Sequence, residues 1–243
     1  MPGVGLGRRR WKRSKPAEVN WGNPLTEAMV MCVPCDRVPF TCLVTGRRFT
    51  MDGNPLLNSP NTFGAGVDTS STTKRGGQFV IGTADRWSLQ PPITVGFAGT
   101  EIAGSVTNSV YVGTVFDNVG TAQPYVCYGL VVDTTHYRMA SNDGLFFSVT
   151  GNIVSTASRA MRTQVGVRQS TTAEIWVNGR REGQITGEGS TISYSATSLM
   201  CIGSEPTAGR FCSCSVALCA VWDRALSQSE IAAFDADPMQ LLR

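Results

Sequence analysis

The side chains of this sequence that could do chemistry are few and scattered. His136 is the only histidine, so any Ser–His–acid relay would have to pass through it. It follows Asp133-Thr-Thr and precedes Tyr137-Arg138, with the turn signal Asn142-Asp143-Gly144 close behind. That context predicts an exposed loop, and no Gly-x-Ser-x-Gly nucleophile turn accompanies it. Acid–base cleavage of a glycosidic bond needs two carboxylates facing one cleft. Glu174 and Glu182 fall on either side of a predicted hairpin and Glu188 in a Gly-rich turn, an arrangement that reads as a solvated face. The sequence therefore reads as a non-enzyme, with no catalytic residue and no cofactor.

The eight cysteines are Cys32, Cys35, Cys42, Cys127, Cys201, Cys212, Cys214 and Cys219. Cys32-Val-Pro-Cys35 is a lone CxxC. A zinc site wants a second pair at matching spacing, and Cys212-Ser-Cys214 is too tight to supply it. A redox CxxC sits between a strand and a helix of a βαβ unit, a pattern the sequence lacks. These cysteines read as small apolar core residues, with metal binding and disulfides as the alternatives. No metal site is expected.

The clearest binding feature is electrostatic. Six of the 21 basic residues and none of the 18 acids lie in residues 1–17, so a +6 segment precedes a body near −3. Its cations are Arg8, Arg9, Arg10, Lys12, Arg13 and Lys15, with Trp11 among them. A basic arm on a mildly acidic domain is a partner-binding pattern. It could take nucleic-acid phosphates with Trp11 stacking, lie in an acidic groove of a neighbouring subunit, or act as a solubilising tail. Nucleic acid is the least favoured of the three. The polar run Pro16–Asn23 and the Pro34 break in Ala28–Cys35 argue against a secretory leader. No apolar run is long enough for a membrane-crossing helix, so no membrane partner is expected.

The elements that must hold these residues read as strands. Hydrophobic residues make up 42% and charged residues 16%, with 26 Gly, a balance suited to many short strands and tight turns. Residues 1–19 read as an extended arm and residues 20–243 as one domain. A first strand is predicted at Leu25–Met31, pairing late in the sheet, followed by long loops with short strands over 43–76. Strands follow at Gln78–Thr83, Ile93–Ala98, Val110–Phe116, Tyr125–Val132 and Leu145–Val149. After a Gly151-Asn152 turn come Ile153–Thr156, Gln164–Arg168, Glu174–Val177, Arg180–Ile185, Leu199–Gly203 and Ser215–Trp222. Asn178-Gly179 between two strand patterns signals a type I′ hairpin. Ser227-Gln-Ser-Glu230 is a capping box that starts one helix, which Pro238 ends. Many short strands without alternating helices point to an all-β sandwich or jelly roll. Poor alternation in Ile93–Ala98 and Tyr125–Val132 implies strands covered on both faces.

Several of these segments resemble a known family in order. Asp223-Arg224-Ala225-Leu226-Ser227 with Glu230, after a strand ending in Trp222, is similar to the closing strand and helix of concanavalin A-like, laminin-G-type domains. Gln78–Gly82, Leu199–Ser204 and Glu174-Ile-Trp-Val-Asn-Gly179 resemble further strands of that family. Tyr128–Asp133 with Leu145–Val149 resembles its mid-domain hairpin. The resemblance implies a two-sheet antiparallel jelly-roll sandwich with one short C-terminal helix. Sugar-cleaving members carry a Glu-x-Asp-x-Glu-like cluster on one strand, which this sequence lacks. The usual calcium-binding acid falls at Ala217, which cannot ligate a hard cation.

Asn20-Trp21-Gly-Asn-Pro24-Leu25-Thr26 and the Pro238–Leu241 tail resemble the variant found in tailed bacteriophages. That resemblance implies a structural protein of the virion, assembled in the host bacterial cytoplasm. The role expected is capsid decoration, with the arm and the loops 43–76 and 186–196 bridging neighbouring shell proteins. The implied partners are the major capsid protein or tail proteins and further copies of the chain as a homo-oligomer. The alternative is a tail or fibre lectin binding host surface glycan through solvent-facing aromatics, for which Trp87, Tyr137 and Tyr194 are the candidates.

Overall fold

The computed structural model describes residues 16–243 other than 52, 62, 70–75, 82, 84, 102–108, 116–125, 133–135, 143–145, 155–161, 188–190, 195–196, 206–209 and 212–213. The basic segment from Arg8 to Lys15, Asp143 and Gly144 of the predicted turn, Glu188 and Cys212 lie outside the described residues. In chain order the strands are β1 (Met29–Pro34), β2 (Thr50–Met51), β3 (Leu56–Asn61), β4 (Gly64–Asp68), β5 (Gly77–Val80) and β6 (Ile93–Glu101). Next come β7 (Ser109–Val115), β8 (Val126–Val132), β9 (His136–Asn142), β10 (Phe146–Val154), β11 (Thr163–Arg168) and β12 (Thr172–Val177). The series ends with β13 (Arg180–Thr186), β14 (Leu199–Ile202), β15 (Ser204–Glu205), β16 (Arg210–Phe211) and β17 (Cys214–Trp222), followed by helix α1 (Gln228–Ala236).

Among the described residues every pairing is antiparallel. One sheet runs β13-β12-β11-β6-β17-β4-β3, with β1 also on β17, and the other runs β10-β9-β8-β7-β14-β5-β2. This is the jelly-roll sandwich expected from the strand pattern, and the first strand does pair with the last. Met31, Val33, Phe97, Tyr128, Leu130 and Ile175 belong to the core between the sheets. A second core covers the outer face of the first sheet, where Phe234 of α1 packs on Trp222 in a cluster that includes Val165, Trp176 and Leu218. β17 and residues 93–100 of β6 are buried throughout, because one face meets the opposite sheet and the other meets the helix layer. Both-face burial removes the selection for polar residues at alternate positions, which accounts for the weak alternation.

The two cores also explain the CxxC. Three positions along an extended strand place Cys32 and Cys35 on opposite faces; Cys32 packs in the helix-side core and Cys35 between the sheets. The seven described cysteines are buried, and none forms a disulfide among the described residues. Burial pushes the Cys219 thiol well up, assisted by its hydrogen bond with Cys35; burial likewise pushes Cys127 up to about 11. Thiols held protonated in this way are poor nucleophiles and metal ligands.

Four sequence expectations need correction. Leu25–Met31 is not one strand: Pro24–Thr26 forms a 3₁₀ turn capped by the Asn23 side chain, and β1 begins at Met29. His136 is not in a loop but opens β9, which pairs with both β8 and β10. β9 therefore lies between Tyr128–Asp133 and Leu145–Val149, which do not form a hairpin with each other. Its sequence, His-Tyr-Arg-Met-Ala-Ser-Asn, has little β propensity and is strand because two neighbours supply its hydrogen bonds. Gly151-Asn152 does not turn the chain; β10 runs through it, and the register against β9 shifts between Thr150 and Val154. The Asn178-Gly179 hairpin forms as expected, with φ of 51° and 73°, the left-handed pair a type I′ turn needs.

The closing motif is a fastener. Trp222 Nε1 donates to the Leu25 carbonyl at 2.6 Å and Arg224 Nε to that of Glu27 at 3.0 Å. The Thr94 hydroxyl donates to the Arg224 carbonyl at 2.7 Å and accepts from Leu226 N at 2.9 Å. Glu230 completes the capping box with Ser227 and takes both guanidinium amines of Arg224, at 3.0 and 2.6 Å. The Arg224 hydrogen bond, against an opposing effect of burial, holds the Glu230 carboxyl at about 2, below its ordinary 4.5. A depressed carboxylate stabilises the fold above the unfolded-state pKa, and this stabilisation is lost as pH falls from about 4.5 through about 2. Each pKa unit corresponds to about 1.4 kcal/mol, and screening of this partly exposed pair reduces the total to roughly 2 kcal/mol. Glu230→Gln is expected to cost about that at pH 7 in urea titrations, and the gap from the parent should narrow by half or more at pH 3. A gap independent of pH would show that the carboxylate's charge is not what stabilises.

Candidate ligand-binding surface

Of the candidate solvent-facing aromatics, Trp87 is buried and Tyr194 half-buried. Trp87 is 3% exposed and belongs to the core, not the solvent-facing surface expected of it. Its ring meets Phe79 at 4.7 Å, and the Arg47 guanidinium lies over both rings at 4.2 and 5.1 Å. Arg47 is held there by Asp85 at 3.3 Å and the Val80 carbonyl at 2.6 Å. The segment carrying Trp87 is drawn inward by Gln90, whose side chain bonds the Ile192 carbonyl at 2.9 Å and amide at 2.7 Å. Tyr194 is half-buried, donates its hydroxyl to the Leu89 carbonyl and stands edge-on to Tyr128 at 6.4 Å. Burial pushes that hydroxyl's pKa up. Tyr137 pairs with Val132 in β9, and its side chain lies outside the described residues.

The acids predicted on a solvated face are also engaged. Glu174 accepts from Trp176 Nε1 at 2.9 Å and Arg181 at 3.1 Å. Glu182 is only 8% exposed, at the bulge between β12 and β13, with Arg180 at 3.7 Å. Among the described residues no group of three or more His, Cys, Asp or Glu comes together to hold a metal ion.

A different surface forms where the chain's ends meet. Residues 18 and 243 exchange backbone hydrogen bonds at 3.3 and 2.9 Å, and Val19 bridges Leu242. Beyond this clamp, Asn20 and Asn23 both donate to Gln240, at 3.2 Å to its carbonyl and 3.0 Å to its side chain. Trp21 stands on this anchored turn and is 55% exposed. Its backbone is fixed while its ring is open to solvent. It is the solvent-facing aromatic that the glycan reading asks for, in a position the sequence left unassigned. The available signal was its setting, Asn-Trp-Gly-Asn, a polar turn with no apolar neighbour to pack against.

Before the clamp, Pro16 and Ala17 form one side of a groove of about 370 Å³ whose apolar walls include Pro34, Val38, Pro39 and Leu43. β1 delivers Pro34, and Cys35 N is pinned to the Ala217 carbonyl at 2.9 Å. The other side is a short hairpin: Thr41 bridges Arg48, Cys42 N meets the Arg47 carbonyl at 2.9 Å, and Gly46 takes φ 72° at the turn. Strand alternation sends Phe40, Cys42 and Phe49 into the core and leaves Thr41 and Arg48 facing the groove. Arg37 and Arg48 are its charged groups, and none of its lining residues is acidic. Asp36 holds Arg37 at 3.0 and 3.3 Å through Nε and Nη2, raising the guanidinium above its ordinary value. Glu18, the other nearby acid, pairs with Arg243 at 3.5 Å. Such a groove can bind, with apolar walls and cationic donors, but its lining holds no carboxylate to cleave with.

Comparison with known proteins agrees with this architecture. The chain overlays Trypanosoma rangeli sialidase with a TM-score of 0.61 at 13% identity, over 89% of this chain and 34% of the sialidase. It overlays the binding domain of Paraclostridial Mosquitocidal Protein 1 with a TM-score of 0.60 at 11% identity, over 87% of this chain and 52% of that one. The binding domain of botulinum neurotoxin DC in complex with SialylT gives 0.58 at 11% identity, over 87% and 51%. This chain thus spans about a third of the sialidase's length and half of the toxin domains'. No curated protein sequence matches it. A laminin G model for the concanavalin A-like lectin/glucanases superfamily matches residues 105–232. With that match across more than half the chain and a two-sheet jelly roll to carry it, the protein belongs to the concanavalin A-like lectin/glucanases superfamily.

Proposed function

We propose that this chain is a non-catalytic, lectin-like module that binds surface glycan at the face around its joined ends. Trp21 carries the reading. An exposed ring on a backbone-anchored turn offers the flat apolar platform onto which the C–H face of a sugar stacks. The fold neighbours that are themselves binding domains support binding over cleavage. On a panel of bacterial surface polysaccharides the protein is expected to bind without releasing reducing sugar. Trp21→Ala should weaken binding by about tenfold, the loss of one stacked aromatic, with thermal stability unchanged. Binding that survives Trp21→Ala, or sugar release, would overturn this reading.

A second reading, decoration of a bacteriophage shell with capsid proteins and further copies as partners, rests on the resemblance at residues 20–26 and 238–241. It gains from one observation. The clamp between residues 18 and 243 fixes the base of the basic segment to a rigid block. Hundreds of copies per purified virion by quantitative mass spectrometry would favour decoration; absence from the particle would exclude it.

A further inference from the structure

We propose that Asn20 and Trp21 form one subsite for a neutral hexopyranose unit, the Trp21 ring stacking on the sugar's C–H face and Asn20 Oδ1 accepting one of its hydroxyls. The inference rests on the glycan-binding reading and names the substrate class and a second contact residue. The turn holds Asn20 still. Its N donates to the Leu241 carbonyl at 2.8 Å, its carbonyl accepts from Asn23 N at 2.9 Å, and its Nδ2 donates to the Gln240 carbonyl at 3.2 Å. The side-chain amide is planar, so tying Nδ2 also fixes Oδ1. Among the described residues Asn20 Oδ1 accepts no hydrogen bond, whereas the matching oxygen of Asn23 is taken by Leu25 N at 2.9 Å. Asn20 Oδ1 lies beside Gly22, 3.6 Å from where a Cβ at that position would stand, and apart from the chain neighbours of Gly22 no other described atom comes within 4 Å of that point. Gly22 is exposed, so this acceptor opens to solvent next to the residue that carries the exposed ring.

The chemistry suits a neutral sugar over an acidic one. A pyranose offers an apolar C–H patch to an aromatic ring and hydroxyl donors at its edge, and a ring with one fixed polar group answers both. The acceptor also sorts by charge. A carbonyl oxygen accepts from a hydroxyl but repels a carboxylate or sulfate. Glu18 before the turn and Glu27 after it are exposed carboxylates, and Glu18 already takes Arg243 at 3.5 Å. One stacked ring and one hydrogen bond make a weak site, so a polymer that presents the same unit repeatedly is favoured over the free monosaccharide. Holding Oδ1 in place beforehand lowers the ordering cost of the contact.

The test is binding of the full chain to laminarin, a neutral β-glucan, to dextran, a neutral α-glucan, and to polygalacturonate, which is carboxylated, at low and high salt. One or both neutral polymers should bind with little dependence on salt, and polygalacturonate at least about tenfold more weakly. Asn20→Ala should lower affinity for the neutral polymer about fivefold, the equivalent of one neutral hydrogen bond. Because that variant also releases the Gln240 carbonyl, Gly22→Leu is the second: the φ of Gly22 is not left-handed, so leucine is tolerated, and its side chain covers Oδ1 without removing a hydrogen bond. Gly22→Leu should lower affinity at least as far, with Tm unchanged, while Arg48→Gln in the groove should lose nothing. Neutral-polymer binding that Trp21→Ala weakens but Asn20→Ala and Gly22→Leu both leave intact would overturn the subsite and keep the glycan module. Polygalacturonate bound as tightly as the neutral polymers would overturn the neutral class and likewise keep the module. Failure to bind any polysaccharide would overturn both.

Discussion

Trp222→Ala is expected to destabilise the domain by about 4–5 kcal/mol, the upper part of the range for truncating a buried tryptophan. Trp222 is fully buried at the end of β17, where four parts of the chain meet. Its Nε1 donates to the Leu25 carbonyl at 2.6 Å, tying in the N-terminal turn. Its ring receives Phe234 of α1 edge-on at 5.7 Å and 89°. Its backbone pairs with Thr94 of β6 on one side and Met29 of β1 on the other. Truncation opens a cavity beneath the helix and leaves a buried carbonyl unpaired. For a domain of this size each kcal/mol lowers Tm by roughly 2–4 °C, so calorimetry should register a drop of roughly 10–15 °C. Trp222→Phe separates the two effects: it keeps most of the packing, loses the Leu25 bond and should cost about 1–2 kcal/mol. Equal losses for both variants would show that the hydrogen bond, not the ring volume, is what matters.

Gly113→Ala is the other large effect, about 3 kcal/mol or more. Gly113 of β7 lies directly opposite Gly129 of β8, and a Cβ at 113 would stand 2.4 Å from the Tyr128 carbonyl oxygen and 2.5 Å from the Gly129 Cα. Both are backbone atoms and cannot swing aside. Strand β7 cannot retreat either, because Gly113 also pairs with Cys201 of β14. Overpacking a core costs about 1–3 kcal/mol when side chains can give way, and here they cannot. Gly46→Ala is the comparison: φ is 72° with nothing within 4 Å of the added carbon, so only the left-handed backbone is penalised, about 1–2 kcal/mol. Urea denaturation of the two variants should rank them in that order. A loss at Gly113 no larger than at Gly46 would mean that β7 and β8 separate easily.

Features satisfied within a few residues were legible in the sequence. The Asn178-Gly179 turn needs only two residues that tolerate positive φ, and the Ser227–Glu230 box only a hydroxyl and a carboxylate three apart. The apolar run Ser215–Trp222 reports burial directly, which made the closing strand readable; the alternation of Gln164–Arg168 marked a strand but not its exposure, since Gln164 and Arg168 are as buried as Val165 and Val167. The family resemblance rested on the closing stretch: Trp222 and Arg224 hold the carbonyls of Leu25 and Glu27, and Glu230 holds Arg224 and the start of the helix.

What the sequence by itself determined, then, is most of the strands from β5 onward, the hairpin, the capped helix and the +6 cluster before Pro16, because local propensity, periodicity and charge are properties of short windows; β9 was not among them, since its hydrogen bonds come from the two strands beside it. Only the tertiary structure decided which aromatics face water and where a ligand can sit. Trp87 and Trp21 both lie in turn-rich stretches. The first is buried because Gln90 reaches Ile192, 102 positions away, and the second is exposed because Asn23 reaches Gln240, 217 positions away. The groove likewise joins residues near 16, 34 and 48, and Cys35 is aimed by a hydrogen bond to Ala217. Such contacts arise from sheet pairing between distant strands, and no window of the sequence short enough to be read locally contains both partners.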